Sequence, residues 1–169
     1  NSDVALPSAP IAQFHRSDES GTTANFAEYL SATAPDVWTY APGKAWAAPG
    51  GQGSKGSDGV ASSLTSTPNS IGYVELSFVL DGDLKSASVD NGAGAVEATS
   101  ANAATAIEAA QIVGEGNDLA LQLDPTIAEA GAYPIVLVTY EITCSAGLPA
   151  EQLDIVKPFL QYAASTDGQ

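Results

Sequence analysis

Ile11-Ala12-Gln13-Phe14-His15-Arg16-Ser17-Asp18-Glu19-Ser20-Gly21-Thr22-Thr23 carries an apolar run into the chain's only arginine and then, a few residues later, into a helix start. Residues 11 to 16 read as a strand. Ser20 is a good N-cap, and Phe26, Tyr29 and Leu30 recur at helical spacing up to the stop at Pro35, so the helix spans 20 to 33. The first turn of such a helix has backbone N–H groups without intrahelical partners, and Gly21 has no side chain to keep a guest away from them. Together with the positive end of the helix dipole they make a socket for a small oxyanion, lined further by the hydroxyls of Ser20, Thr22 and Thr23. Arg16 adds a planar fork of charged donors, and Asp18 is placed to hold that fork by accepting one of its N–H groups. The plainer alternative for the same residues is a surface ion pair and an ordinary cap.

The stretch His15-Arg16-Ser17-Asp18-Glu19-Ser20-Gly21-Thr22-Thr23 followed by Asn25-Phe26 and Tyr29-Leu30 resembles the R-x-D-x-S-G-T signature of the phosphate-binding proteins that feed ABC-type phosphate importers, the PstS family. Trp38, the loop from Gly50 to Val60, and Pro68-Asn69-Ser70-Ile71-Gly72-Tyr73-Val74-Glu75 match further family motifs in the same order, and Tyr133-Pro134-Ile135-Val136 resembles its later strand. The resemblance implies an α/β fold of the type II periplasmic-binding-protein kind, with a mixed sheet flanked by helices. It implies that Arg16, Ser20, Gly21 and Thr22 contact phosphate and that Asp18 orients Arg16. His15 would sit beside the site as a structural residue. Members of the family have two lobes with the ligand between them. By that resemblance 1–132 is most of one lobe carrying the anion-binding helix, and 133–169 is a return segment of the other. The fold is then incomplete, and an N-terminal half or second chain is needed to close the cleft. The implied partners are phosphate and the membrane permease of an ABC importer. The implied location is extracytoplasmic, periplasmic or cell-surface, with a lipid anchor upstream as an option.

The 169 residues are enough for one ordinary domain or two small lobes, and 44% hydrophobic content supports a packed core. Net charge is −15, which argues against nucleic acid or an anionic membrane as partner. It does not exclude an anion receptor, because hydrogen bonds act over about 3 Å while the overall field is screened over roughly 8 to 10 Å. Cys144 is the single cysteine, so an internal disulfide and a cysteine-rich metal site are both excluded. Its readings are a small buried hydrophobe on a strand or a residue whose disulfide partner lies elsewhere. No metal site and no cofactor are expected.

Along the rest of the chain, Asp36-Val37-Trp38 predicts a short helical turn packing Trp38, and Ala45-Trp46-Ala47 a short extended piece. The Gly50 to Gly59 loop leads into a helix from about Ser57 to Leu64. Lys55 follows Ser54 and precedes Gly56, so the phosphate-loop pattern of nucleotide-binding proteins fails here. Ile71 to Phe78 reads as a strand or as a strand bending into a short helical turn, 84 to 89 as a short strand, and Asn91 to Gly94 as a turn. A helix is expected from Thr99 or Ser100 through Val113, with Ala103, Ile107 and Ala110 on one face and Gly114 as its stop, then a short strand from Asp118 to Leu123. Ile135 to Thr143 is the strongest strand signal, and Ala150 to Ala164 the last helix, with an apolar stripe of Leu153, Val156, Phe159, Leu160 and Ala163.

Three other functions fit some of these residues. A serine esterase or phosphatase would use Ser20 as nucleophile and His15 as base, but no G-x-S-x-G elbow is present and a serine at a cap turns its oxygen to the backbone. The expectation is therefore a binding protein and not an enzyme. A scaffold that keeps the fold without its ligand, and a binder of another tetrahedral oxyanion such as sulfate, remain as alternatives.

Overall fold

β1 (Ala12–Arg16) is the middle strand of a three-stranded sheet, with β2 (Gln52–Ser54) on one side and β3 (Ser70–Ile71) on the other, both parallel to it. This is a computed structural model, and it describes residues 5, 7–116, 118–144 and 146–168. Parallel neighbours need crossovers, and here helices supply them. α1 (Gly21–Thr33) lies between β1 and β2 in sequence, and α2 (Gly56–Ser66) between β2 and β3. The register sets Arg16 opposite Ser54 and His15 opposite Gly53, so the end of β1 and the start of α2 come together. Phe14 on β1, Ala27 on α1 and Val60 and Ala61 on α2 are buried, and Val60 is fully so.

α3 (Leu76–Asp81) follows β3, and a hairpin of β4 (Val89–Asp90) and β5 (Ala95–Val96) follows that. α4 (Ser100–Glu108) is capped by Thr99, whose side chain accepts from the Asn102 N–H. A second antiparallel pair joins β6 (Gln111–Ile112) to β7 (Leu121–Gln122). Ala106, Ala132 and Val136 form a small core there, with Ala103, Leu123, Ile127 and Tyr133 packed on it. The class is mixed α/β, as expected. The chain divides into two compact units, Asn1–Leu137 and Val138–Gln169, and α5 (Ala150–Ala163) is the helix of the second.

The structure corrects several expectations. Gln52–Ser54 is a strand where a loop was expected. It has no apolar alternation; its backbone pairs with β1, and the Ser54 hydroxyl bonds Ser63 Oγ on α2 at 2.9 Å. Residues 84 to 88 are not a strand; pairing is confined to Val89–Asp90. The alanine-rich helix stops at Glu108 rather than Val113, because Gln111 and Ile112 pair with Gln122 and Leu121.

The largest correction is Ile135 to Thr143, which forms no strand. Ala132, Pro134 and Val136 are buried at alternate positions, the period of an extended chain against a core, yet Leu137 is exposed and Ile142 is 95% exposed. A strand buried on both faces needs a ladder on each side, and none of the sheets formed by the described residues includes this segment. Cys144 is exposed, which removes the buried-hydrophobe reading. The stripe on α5 has the expected spacing, but no residue of that helix is buried.

Candidate functional site

Ser20 has extended backbone, φ −150° and ψ 150°, and its side chain accepts the Thr23 N–H at 3.0 Å, so α1 begins at Gly21 as an N-capped helix. The hydroxyl of Ser20 donates to Thr23 Oγ1 at 2.8 Å and its own N–H reaches the Lys44 carbonyl at 2.9 Å. Both donors of Ser20 are thus committed within the protein, and the residue is buried. The amides of Gly21 and Thr22, at the first two helical positions, have no hydrogen-bond partner among the described residues. Gly21 is exposed, so nothing of its own covers these amides.

Arg16 points inward: its side chain is 12% exposed. Its Nε donates to Asp18 Oδ1 at 2.8 Å and its Nη2 to Oδ2 at 2.6 Å, a two-point pairing, while Nη1 donates to Ser57 Oγ at 3.1 Å. A guanidinium has five N–H donors, so two remain, one on each terminal nitrogen. Asp18 also accepts the Gly56 N–H at 3.0 Å. Gly56 sits at φ +71°, backbone that favours glycine, and this is what turns its amide to Asp18. The hydrogen bond from Arg16, with that from Gly56, holds the Asp18 carboxyl well below the usual carboxylate range. The same hydrogen bond raises Arg16 further above its ordinary value, against a smaller opposing effect of burial.

Three more residues reach the site from far along the chain. The Tyr73 hydroxyl accepts the Arg16 backbone N–H at 3.2 Å and bonds Thr23 Oγ1 at 2.7 Å, joining the end of β1 to the start of α1. Ser57, buried at the start of α2, receives Arg16. Glu75 accepts a hydrogen bond from the Thr22 hydroxyl, and its second oxygen is buried with no partner among the described residues. Burial pushes the Glu75 carboxyl up, but the nearby hydroxyls of Ser57 and Thr22 and the Arg16 charge outweigh it, so the net shift is downward. An aromatic cluster backs these residues. Trp46 stacks on His15 at 5.3 Å, on Phe26 at 6.5 Å and on Tyr73 at 5.7 Å, and Trp38 packs on Trp46 at 5.0 Å.

Arg16, Asp18, Ser20, Gly21 and Thr22 thus meet at the junction of β1 and α1. Sequence reasoning missed the roles of Ser57, Tyr73 and Glu75. The only available signal was the match of the Pro68 to Glu75 segment to a family motif, which says that the segment matters and not what its side chains touch. His15 is half-buried, flat on Trp46, with Nδ1 2.9 Å from the Arg16 carbonyl oxygen. No hydrogen bond joins it to Ser20 among the described residues. Nor do those residues contain a cluster of His, Cys, Asp and Glu able to hold a metal ion, or a helix long and apolar enough to cross a membrane.

A family model described as "PBP superfamily domain" matches residues 1–167. The chain is 41% identical to phosphate-binding protein PstS 3 of Mycobacterium leprae over 165 residues, covering 95% of this chain and 45% of that protein. It is 37% identical to phosphate-binding protein PstS 2 of Mycobacterium tuberculosis, covering 96% of this chain and 45% of that one. With phosphate-binding protein PstS of Xylella fastidiosa the identity is 35%, over 83% of this chain and 38% of the relative. The chain therefore spans less than half the length of these curated relatives.

Proposed function

The chain belongs to the PBP superfamily, and from that premise we propose that it supplies one wall of a phosphate-capturing cleft in an extracytoplasmic substrate-binding protein serving an ABC importer. The observation that carries this reading is the inward-facing Arg16 guanidinium, locked by Asp18, beside the unpartnered amides of Gly21 and Thr22. Fixed amides at a helix N-terminus and a planar charged fork are complementary to a small tetrahedral anion, and their donors are in place before the ligand arrives.

Arg16, Gly21 and Thr22 are the proposed contacts. Ser20 contributes mainly as the cap that sets the direction of the amides, since its own donors face Thr23 and Lys44. Asp18 is the orienting partner of Arg16. A further stretch of polypeptide or a second chain closes the cleft, and 133–169 returns into the lobe it forms. The names of the relatives support phosphate as the ligand. The test is calorimetric titration of inorganic phosphate into the complete polypeptide that carries this sequence. Saturable one-site binding that Arg16→Ala abolishes supports the reading, and absence of phosphate heat refutes it.

A further inference from the structure

Ala132 and Val136 belong to the small core, and Pro134 between them is buried. Side chains of an extended chain alternate in direction, so Leu137, one position after Val136, turns away from that core. It arrives at the start of α1. A methyl group built on Gly21 would lie 3.6 Å from one Leu137 methyl and 3.9 Å from the other, with nothing else within 4 Å apart from its chain neighbours and the backbone of α1. Both are ordinary van der Waals distances, and Gly21 is part of the helix, so neither the backbone nor Leu137 demands a glycine. What glycine leaves is a methyl-sized space beside Leu137, in a helix for which alanine has the higher propensity. An exposed leucine by itself says nothing. Leu137 is half exposed, yet it stands against the turn whose Gly21 and Thr22 amides have no partner among the described residues. A polar side chain here would compete with an anion for those donors, and a leucine cannot.

We propose that Leu137 is a positioning residue of the anion site: its methyls form one apolar wall of the socket and keep water from the Gly21 and Thr22 amides on that side. The proposal rests on the phosphate-capture reading above. Gly21 remains exposed, which leaves the other side open to the ligand. Water held against an amide weakens its field and has to be displaced by an arriving anion. Where an apolar wall keeps water away, the same amides and the Arg16 guanidinium act through a lower dielectric, and their bonds to the anion strengthen.

The test compares the complete polypeptide with its Leu137→Ala and Leu137→Met variants. Methionine keeps apolar bulk at nearly equal volume, and alanine removes it. NMR reads the exchange of the Gly21 and Thr22 amide protons with water in the absence of ligand, calorimetry reads inorganic phosphate binding, and urea denaturation checks the fold. In Leu137→Ala those two amides should exchange faster by about threefold or more, with the later amides of α1 unchanged, and the Kd for phosphate should rise by roughly threefold to tenfold. Leu137→Met should stay within about twofold of the parent in both. Unchanged exchange in folded Leu137→Ala overturns the wall, and faster exchange with an unchanged Kd overturns its role in binding. A Leu137→Met variant that behaves as Leu137→Ala does overturns the argument from apolar bulk. If the parent binds no phosphate, the phosphate-capture reading falls, and the exchange rates still decide whether Leu137 covers the amides.

Discussion

Replacing Arg16 with alanine isolates the guanidinium from everything else the site offers. Three of its five N–H groups are fixed on Asp18 and Ser57, and the other two are available to an anion. A hydrogen bond between charged partners contributes about 1.5 to 3 kcal/mol, so losing two costs about 3 to 6 kcal/mol, roughly a 10²- to 10⁴-fold rise in Kd. The fold should tolerate the change. Asp18 keeps the Gly56 N–H, and its side chain is 35% exposed, so water can reach the oxygens that Arg16 leaves. Arg16→Lys keeps the charge but loses the fork, and should fall between the two, weaker than the parent by about tenfold or more. Titration calorimetry with inorganic phosphate reads these values, with circular dichroism confirming that each variant is folded. A folded Arg16→Ala protein that binds phosphate within threefold of the parent would refute the reasoning.

Other outcomes follow from the same geometry. Ser20→Ala removes the cap of α1 and should cost about 1 kcal/mol, seen as a lower denaturation midpoint in urea; an unchanged midpoint would mean that the cap is not formed. Gly56→Ala forces a side chain into φ +71° and should destabilise by roughly 1 to 2 kcal/mol in the same assay, while weakening phosphate binding by loosening Asp18. The Asp18 carboxyl is shifted down in the fold, so its contribution to stability is complete above the unfolded-state value of about 3.9 and is lost only as pH falls through the lower folded value. A carbon-detected NMR titration should therefore find Asp18 still ionised where the exposed aspartates have protonated, and Arg16→Ala should bring it back toward them.

Local signals in the sequence located the strand-to-helix junction well. An apolar run, a serine at the cap, helical spacing to Pro35 and a lone arginine all act within about 25 residues, where local propensity and capping dominate. The rest of the site depends on contacts across long stretches of chain. Ser57 is 41 residues from Arg16, Tyr73 is 57, and Glu75 is 53 from Thr22, so only the folded register shows what these side chains touch. β2 was missed because Gln52-Gly53-Ser54 carries no hydrophobic pattern; its pairing with β1 is a matter of backbone alone. The end of α4 was overrun because Ala109 and Ala110 suit a helix as well as a turn, and the β6–β7 pairing decided between them. Ile135 to Thr143 shows the opposite failure. Its β-branched composition describes a chain suited to the centre of a sheet, but composition does not supply the neighbouring strands.

The central claim, an oxyanion held by the start of α1 and the arginine at the end of β1, is tested most directly by a crystal structure of the complete polypeptide grown with inorganic phosphate. The account predicts tetrahedral density with oxygens within about 3.2 Å of the Gly21 and Thr22 backbone nitrogens and of an Arg16 terminal nitrogen. Phosphate bound elsewhere, with the two remaining Arg16 N–H groups and those two amides facing only water, would contradict it.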